Sequence, residues 1–180
     1  MHKDVERILY TEEELRRRVK ELGAQITTDY AGRRPILASV LRGSYIFMAD
    51  LTRAIDLDVT VDFMAVSSYG AGTTSSGQVE IKKDLSDSIE GKELIIVEDI
   101  LDSGNTLAFL KQYFLTKGAA SITIVTLLDK PARREKAIQA DLSGFTVPDE
   151  FVVGYGLDYA QMYRNIPYIG VLKPEVYAGK

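Results

Sequence analysis

The chain has 180 residues, 46% of them hydrophobic and 27% charged, with a net charge of −4, which suits one ordinary globular domain over residues 1–180. It has no cysteine, which excludes disulfides and thiolate chemistry, and its single histidine, His2, lies near the N-terminus, so histidine-based catalysis is not expected and acid–base work falls to carboxylates, lysines or tyrosines. The acidic balance argues against nucleic acid as a partner. No apolar run approaches the ~20 residues that span a membrane, and Met1–Glu6 lack the apolar core of a secretion signal, so a cytoplasmic location is expected.

Thr11 followed by Glu14 is a capping box, and Leu15, Val19, Leu22 and Ile26 continue an apolar helix stripe. Glu12–Arg16, Glu13–Arg17 and Glu14–Arg18 are pairs four apart that read as a solvated helix face. Pro35–Leu41 is a buried strand, followed by Arg42-Gly43-Ser44 and a helical pattern through Ile46, Phe47, Ala49, Leu51 and Ala54. Val59–Val66 reads as a second strand, with Val59, Val61, Phe63 and Ala65 on one face. Strand, helix and strand form a right-handed crossover by default. The small, glycine-rich stretch from Ser67 to Gly77 reads equally well as a spacer or a mobile lid, with Gln78–Lys82 as the returning arm of a ribbon. Leu94–Val97 is a third strand and Ser121–Leu128 a fourth, rich in Ile, Val and Thr. Arg133, Arg134 and Lys136 are expected on a solvated surface. Pro167–Leu172 includes a further short strand. The fold class is α/β: an open, mainly parallel sheet flanked by helices, in which ligands gather at the carboxyl ends of strands.

One stretch organises the rest. After Leu94–Val97 come two adjacent carboxylates, Glu98 and Asp99, expected where the strand runs out, then Asp102-Ser103-Gly104-Asn105-Thr106 and an apolar helical pattern, Leu107, Leu110 and Phe114. A buried parallel strand, a short polar turn and a helix N-terminus are the parts of an anion site, because the first helical N–H groups lack internal partners. Carboxylates beside a phosphate need hydroxyls or a cation. Phosphate, sugar diol and divalent metal together satisfy the pattern. A plain helix cap by Asp102 or Ser103 leaves Glu98-Asp99 without a purpose.

The segment Val97-Glu-Asp-Ile-Leu-Asp-Ser-Gly-Asn-Thr106 resembles the phosphoribosyl-pyrophosphate (PRPP) signature of type I phosphoribosyltransferases. Further segments resemble the hypoxanthine–guanine branch of that family, so the resemblance covers about Ile36 to Val176. Leu41-Arg-Gly-Ser-Tyr-Ile-Phe47 is similar to its pyrophosphate loop, and Ser68-Tyr69 to the start of its lid. Leu128-Asp-Lys130 and Phe151-Val-Val-Gly-Tyr-Gly-Leu-Asp-Tyr159 are similar to its purine-binding hood. Asn105 and Arg42 stand where some members carry lysine, which bears on subtype rather than reaction.

The resemblance implies a core over about 30–145 and a hood from about 146–180 with the N-terminal segment. It implies transfer of the 5-phosphoribosyl group from PRPP to N9 of hypoxanthine or guanine with Mg2+, in a homodimer or homotetramer. Glu98 and Asp99 would hold the ribose hydroxyls and a metal. Ser103, Gly104, Asn105 and Thr106 would cradle the 5′-phosphate. Arg42, Gly43 and Arg164, with Ser68 and Tyr69 of the lid, would meet pyrophosphate, and Asp158 a second metal. Asp102 would take the purine N7 proton, Lys130 would donate to O6, Phe151 would stack on the ring, and the Val152 backbone would read its edge. A non-proline cis peptide is implied at Leu41–Arg42. Two rival readings are a transferase for adenine, orotate or xanthine alone, and a regulator of the same fold that binds RNA. Lys130, Asp102 and the acidic charge weigh against them.

Overall fold

A computed structural model describes residues 1–68 and 79–178, with Ser68 described in its backbone alone. Tyr69 and the expected lid from Ser68 to Gly77 therefore lie outside the described residues, apart from the Ser68 backbone.

Among the described residues, six strands form one sheet. Five are parallel: β2 (Ile36–Leu41), β3 (Thr60–Ser68), β5 (Glu93–Leu101), β6 (Ser121–Asp129) and β7 (Leu142–Thr146). The sixth, β4 (Val79–Lys83), runs antiparallel to β3 at one edge, and the order is β4-β3-β2-β5-β6-β7. Helix α1 (Glu12–Asp29) and α2 (Tyr45–Ala54) pack on one face, and α3 (Asn105–Thr116) on the other. The apolar run in β5 divides between the two cores. Ile95 and Val97 join Leu15, Phe47 and Leu51, whereas Leu94 and Ile96 join Leu107, Leu110 and Phe114. That is the two-sided burial a parallel strand between helix layers requires.

A second, three-stranded antiparallel sheet has the order β1-β9-β8, from β1 (Val5–Tyr10), β8 (Val152–Val153) and β9 (Ile169–Leu172). The short helix α4 (Pro174–Tyr177) follows β9.

Several expectations need correcting. β5 does not stop at Val97. Its pairing with β2 ends at Ser39–Val97, but its pairing with β6 continues to Leu101–Asp129. Glu98 and Asp99 are thus held in a strand that has lost one neighbour and kept the other. The exposed-face pairs of α1 also rearrange. Glu12–Arg16 forms at 3.0 Å, but Glu14 closes the capping box with Thr11, and Arg18 meets Glu21 and donates to the carbonyls of Ser143 and Gly144. Part of that charged face is therefore a clamp on β7. In β3, Val61 is 40% exposed while Met64 on the opposite face is fully buried, so burial does not follow the expected alternation. Strands β1, β7 and β8 are additional to the expected set. β7 can lie against β6 because Gly144 has no side chain to strike the Leu127 carbonyl.

Candidate active site

The sheet reverses its winding between β2 and β5. From β2 the chain crosses through α2 to β3 on one side, and from β5 through α3 to β6 on the other. A crevice opens outside the carboxyl ends of two strands that diverge in this way. The turn after β2 and the turn after β5 both reach it.

After β5, Asp102, Ser103 and Gly104 lead into α3. Gly104 adopts φ +84 as the residue before the helix, where a side chain would also strike Ile138. Neither Asp102 nor Ser103 caps α3 by the ordinary side-chain bond; Ser103 Oγ accepts only from Asn105 N, at 3.3 Å. Beyond Asn105, the first-turn N–H groups have no side-chain cap among the described residues. Asn105 turns its amide to Glu135 at 2.9 Å. Arg134, expected on a solvated surface, instead ties this turn down. It donates to the carbonyls of Leu101, Asp102 and Ile138 and pairs with Asp129. Its side chain is only 17% exposed.

Glu98 and Asp99 lie side by side. Burial, then the neighbouring Asp99 charge, pushes the Glu98 carboxyl well above the usual glutamate range, and burial raises Asp99 as well. Glu98 Oε2 is sealed from solvent and has no hydrogen-bond partner among the described residues. Two half-buried carboxylates, one with an unmet oxygen, suit a hard cation that keeps water and substrate oxygens in its shell.

After β2, the Leu41–Arg42 peptide is cis, as expected. Gly43 packs on the Asp99 carboxylate so closely that a Cβ would overlap it, and the Gly43 carbonyl in turn leaves no room for a Cβ on Gly156. Arg42 Nη1 donates to Gln161 Oε1 at 2.9 Å. Arg164 Nη2 donates to the same oxygen at 3.1 Å, pairs with Asp158 at 2.8 Å and donates through Nη1 to the Gly156 carbonyl at 2.8 Å. Two guanidinium groups from distant parts of the chain thus converge.

Beside these turns is a cleft of about 470 Å3 lined by Asp99, Ile100, Asp102, Lys130, Phe151 and Leu157, among others. Lys130 is only 7% exposed and donates to the Glu150 carbonyl at 2.8 Å, so it is not a solvated lysine. Asp102 Oδ1 is sealed from solvent without a hydrogen bond among the described residues, although Arg133 Nε lies 3.7 Å away. Phe151, 37% exposed, stacks on Tyr177 of α4 with ring centres 5.2 Å apart. Val152 is buried in β8, and its backbone is fixed by pairing with Val171.

The structure therefore brings Arg42, Gly43, Glu98, Asp99, Asp102, Ser103, Gly104, Asn105, Thr106, Lys130, Phe151, Val152, Asp158 and Arg164 to one end of the sheet. Gln161, Arg133, Arg134, Ile100, Leu157 and Tyr177 are further residues of the site. Of these, Arg133 and Arg134 come soon after β6, which ends at Asp129, but as cations in a loop they read in the sequence as a solvated surface.

A sheet that reverses at this crevice, with backbone donors of a helix start on one side and paired arginines on the other, is an arrangement that suits phosphate groups. Residues 7–160 match the family of the phosphoribosyl transferase domain, and the chain belongs to that family. It is 56% identical over 177 residues to the hypoxanthine-guanine phosphoribosyltransferase of Bacillus subtilis, covering 98% of each chain. It is 54% identical over 178 residues to the bifunctional protein TilS/HprT of Listeria innocua, of whose length it spans 28%. Among solved structures, a hypoxanthine phosphoribosyltransferase from Staphylococcus aureus superposes with a TM-score of 0.95 at 52% identity, covering 98% of this chain and 96% of that one. A hypoxanthine phosphoribosyl transferase of Trypanosoma cruzi gives 0.94 at 46% identity, covering 99% and 96%.

Proposed function

We infer that the chain is a purine-salvage transferase that moves the 5-phosphoribosyl group of PRPP to N9 of hypoxanthine or guanine, giving IMP or GMP and pyrophosphate. The observation that carries this reading is the cleft itself, where a buried lysine, a carboxylate with an unmet oxygen and an exposed aromatic face adjoin Asp99.

The N9 lone pair of the base forms the bond to ribose C1 as the bond from C1 to the pyrophosphate oxygen breaks and its electron pair leaves with pyrophosphate. The purine loses its N7 proton to the Asp102 carboxylate, which lines the cleft. The backbone from Ser103 to Thr106, at an uncapped helix start, takes the 5′-phosphate. Arg42, Gly43 and Arg164 take pyrophosphate. Lys130, donor only, reads O6, Phe151 stacks on the ring and the Val152 backbone reads its far edge.

Glu98 and Asp99 accept from the ribose hydroxyls and would hold Mg2+ directly or through its waters, and Asp158 would serve a second ion with the lone pairs that Arg164 and the Gln161 N–H leave free. Magnesium, when bound, offsets the charge that develops on pyrophosphate. The test is turnover of hypoxanthine with PRPP and magnesium. Steady IMP formation is expected, and preferential use of adenine or orotate would overturn the reading.

A further inference from the structure

Gln161 lies in a turn that the roles above leave unused. The turn from Tyr159 to Met162 is closed by reciprocal backbone bonds of 3.2 and 3.0 Å, and both central residues, Ala160 and Gln161, have positive φ, +50 and +69. Such turns favour Gly and Asn at these places, so two residues with larger side chains are held there against preference. The Asp158 carboxylate contributes by accepting from the Gln161 N–H at 2.8 Å. The side chain then delivers one oxygen to two cations, Arg42 at 2.9 Å and Arg164 at 3.1 Å. Its amide must present oxygen rather than nitrogen, since two donors converge on it.

We propose that Gln161 is the positioning residue of the pyrophosphate site, a neutral acceptor that holds Arg42 and Arg164 converged until phosphate oxygens replace it. This rests on the transferase reading above. Neutrality is the point of the design. An amide oxygen is a good enough acceptor to orient two guanidinium groups, yet a weaker one than a phosphate oxygen. Arg164 already meets one carboxylate, Asp158, and a second at residue 161 would orient both guanidinium groups equally well but would hold them against the incoming anion. An alanine would leave Arg42 with no side chain to aim it among the described residues. Preorganised donors lower the entropic cost of binding, so their loss weakens affinity rather than the chemical step.

The experiment titrates magnesium pyrophosphate into the parent chain, Gln161→Glu and Gln161→Ala by calorimetry, beside steady-state kinetics at varied PRPP. Gln161→Glu is expected to weaken pyrophosphate binding and raise KM for PRPP by ~10-fold or more, the scale of a lost charge-assisted bond. Gln161→Ala should do so by a few-fold. In both, kcat and KM for hypoxanthine should stay within about twofold of the parent, a split that general loss of structure would not produce. A parent that turns over hypoxanthine while both variants bind pyrophosphate as it does overturns the inference alone. A parent that neither binds pyrophosphate nor uses PRPP overturns the transferase reading along with it.

Discussion

Gly43 and Asp99 occupy what would be one volume if residue 43 had a side chain. A Cβ there would overlap the Asp99 carboxylate, and Gly156 closes the Gly43 carbonyl from the other side. The turn that brings Arg42 to the site is therefore pressed directly onto the carboxylate pair of β5. Gly43→Ala must lift the turn or displace Asp99. Overpacking of this kind costs ~1–3 kcal/mol, so a lower melting temperature is expected together with a KM for PRPP raised ~10-fold or more. Melting curves and kinetics at varied PRPP check it; an unchanged KM would mean that the turn moves freely without touching substrate.

Glu98 makes stability depend on pH in a definite direction. Its carboxyl is raised in the folded chain, first by burial and then by Asp99. The stability this proton supplies is fully present below the unfolded glutamate value of about 4.3 and is lost as pH rises through the folded value. Glu98→Gln cannot ionise and so avoids that loss. Its advantage in melting temperature over the parent should grow across the pH window above that unfolded value. An advantage that shrinks over that window would show that the pair is ionised without cost. Affinity for PRPP should fall in the same variant, since the carboxylate is proposed to meet the ribose.

Asp102→Asn keeps the shape of the cleft and removes the proton acceptor. A positioned base contributes ~10²–10⁴-fold, and kcat should drop by that much while PRPP still binds. Single-turnover rates, which isolate chemistry from release, are the appropriate readout. A rate near the parent's would place the proton elsewhere.

Lys130 is buried and donates to the Glu150 carbonyl. Hypoxanthine and guanine offer it an acceptor at O6, whereas adenine presents an amino donor there. Sites built on one required hydrogen bond reject an analogue lacking it by ~10⁴-fold or more, so adenine should be used negligibly. Lys130→Ala should erase most of that preference. Competition between bases at fixed PRPP measures it, and a preference that survives the substitution removes Lys130 from recognition.

Arg134→Ala should destabilise the chain by ~2–5 kcal/mol, because three carbonyls and the Asp129 carboxylate lose a largely buried cationic donor. Urea unfolding at constant slope tests this. Of the five substitutions it is the one expected to act on the Asp102–Gly104 turn without touching substrate.

Local signals revealed part of the site. The capping box at Thr11, the apolar runs of β2, β5 and β6, and the carboxylate, turn and helix sequence after Val97 each rest on neighbours within a few residues, and the structure forms them accordingly. What escaped depends on partners far along the chain. β1 reads as Val-Glu-Arg-Ile-Leu-Tyr, too charged to declare a strand until β9 supplies its edge, more than 150 residues away. Arg134 resembles any surface arginine until the carbonyls of the Leu101–Asp102 turn are placed beside it. Gln161 has no local signature, because its meaning comes from two arginines, far apart in the chain, that the fold brings together.

The ladder between β5 and β6 makes one backbone measure two ligands at once. Glu98 is opposite Thr126 and Leu101 opposite Asp129, and the next N–H along, that of Lys130, donates to the Leu101 carbonyl at 2.9 Å. The spacing from the carboxylates proposed to meet the sugar to the ammonium proposed to meet the purine is thus counted in residue steps of ~3.3 Å, as on a ruler whose marks are peptide groups. A side-chain change can blur one mark. Only an inserted or deleted residue in β5 or β6 can change the length being read, and it would misplace sugar and base relative to each other while leaving each half of the pocket intact.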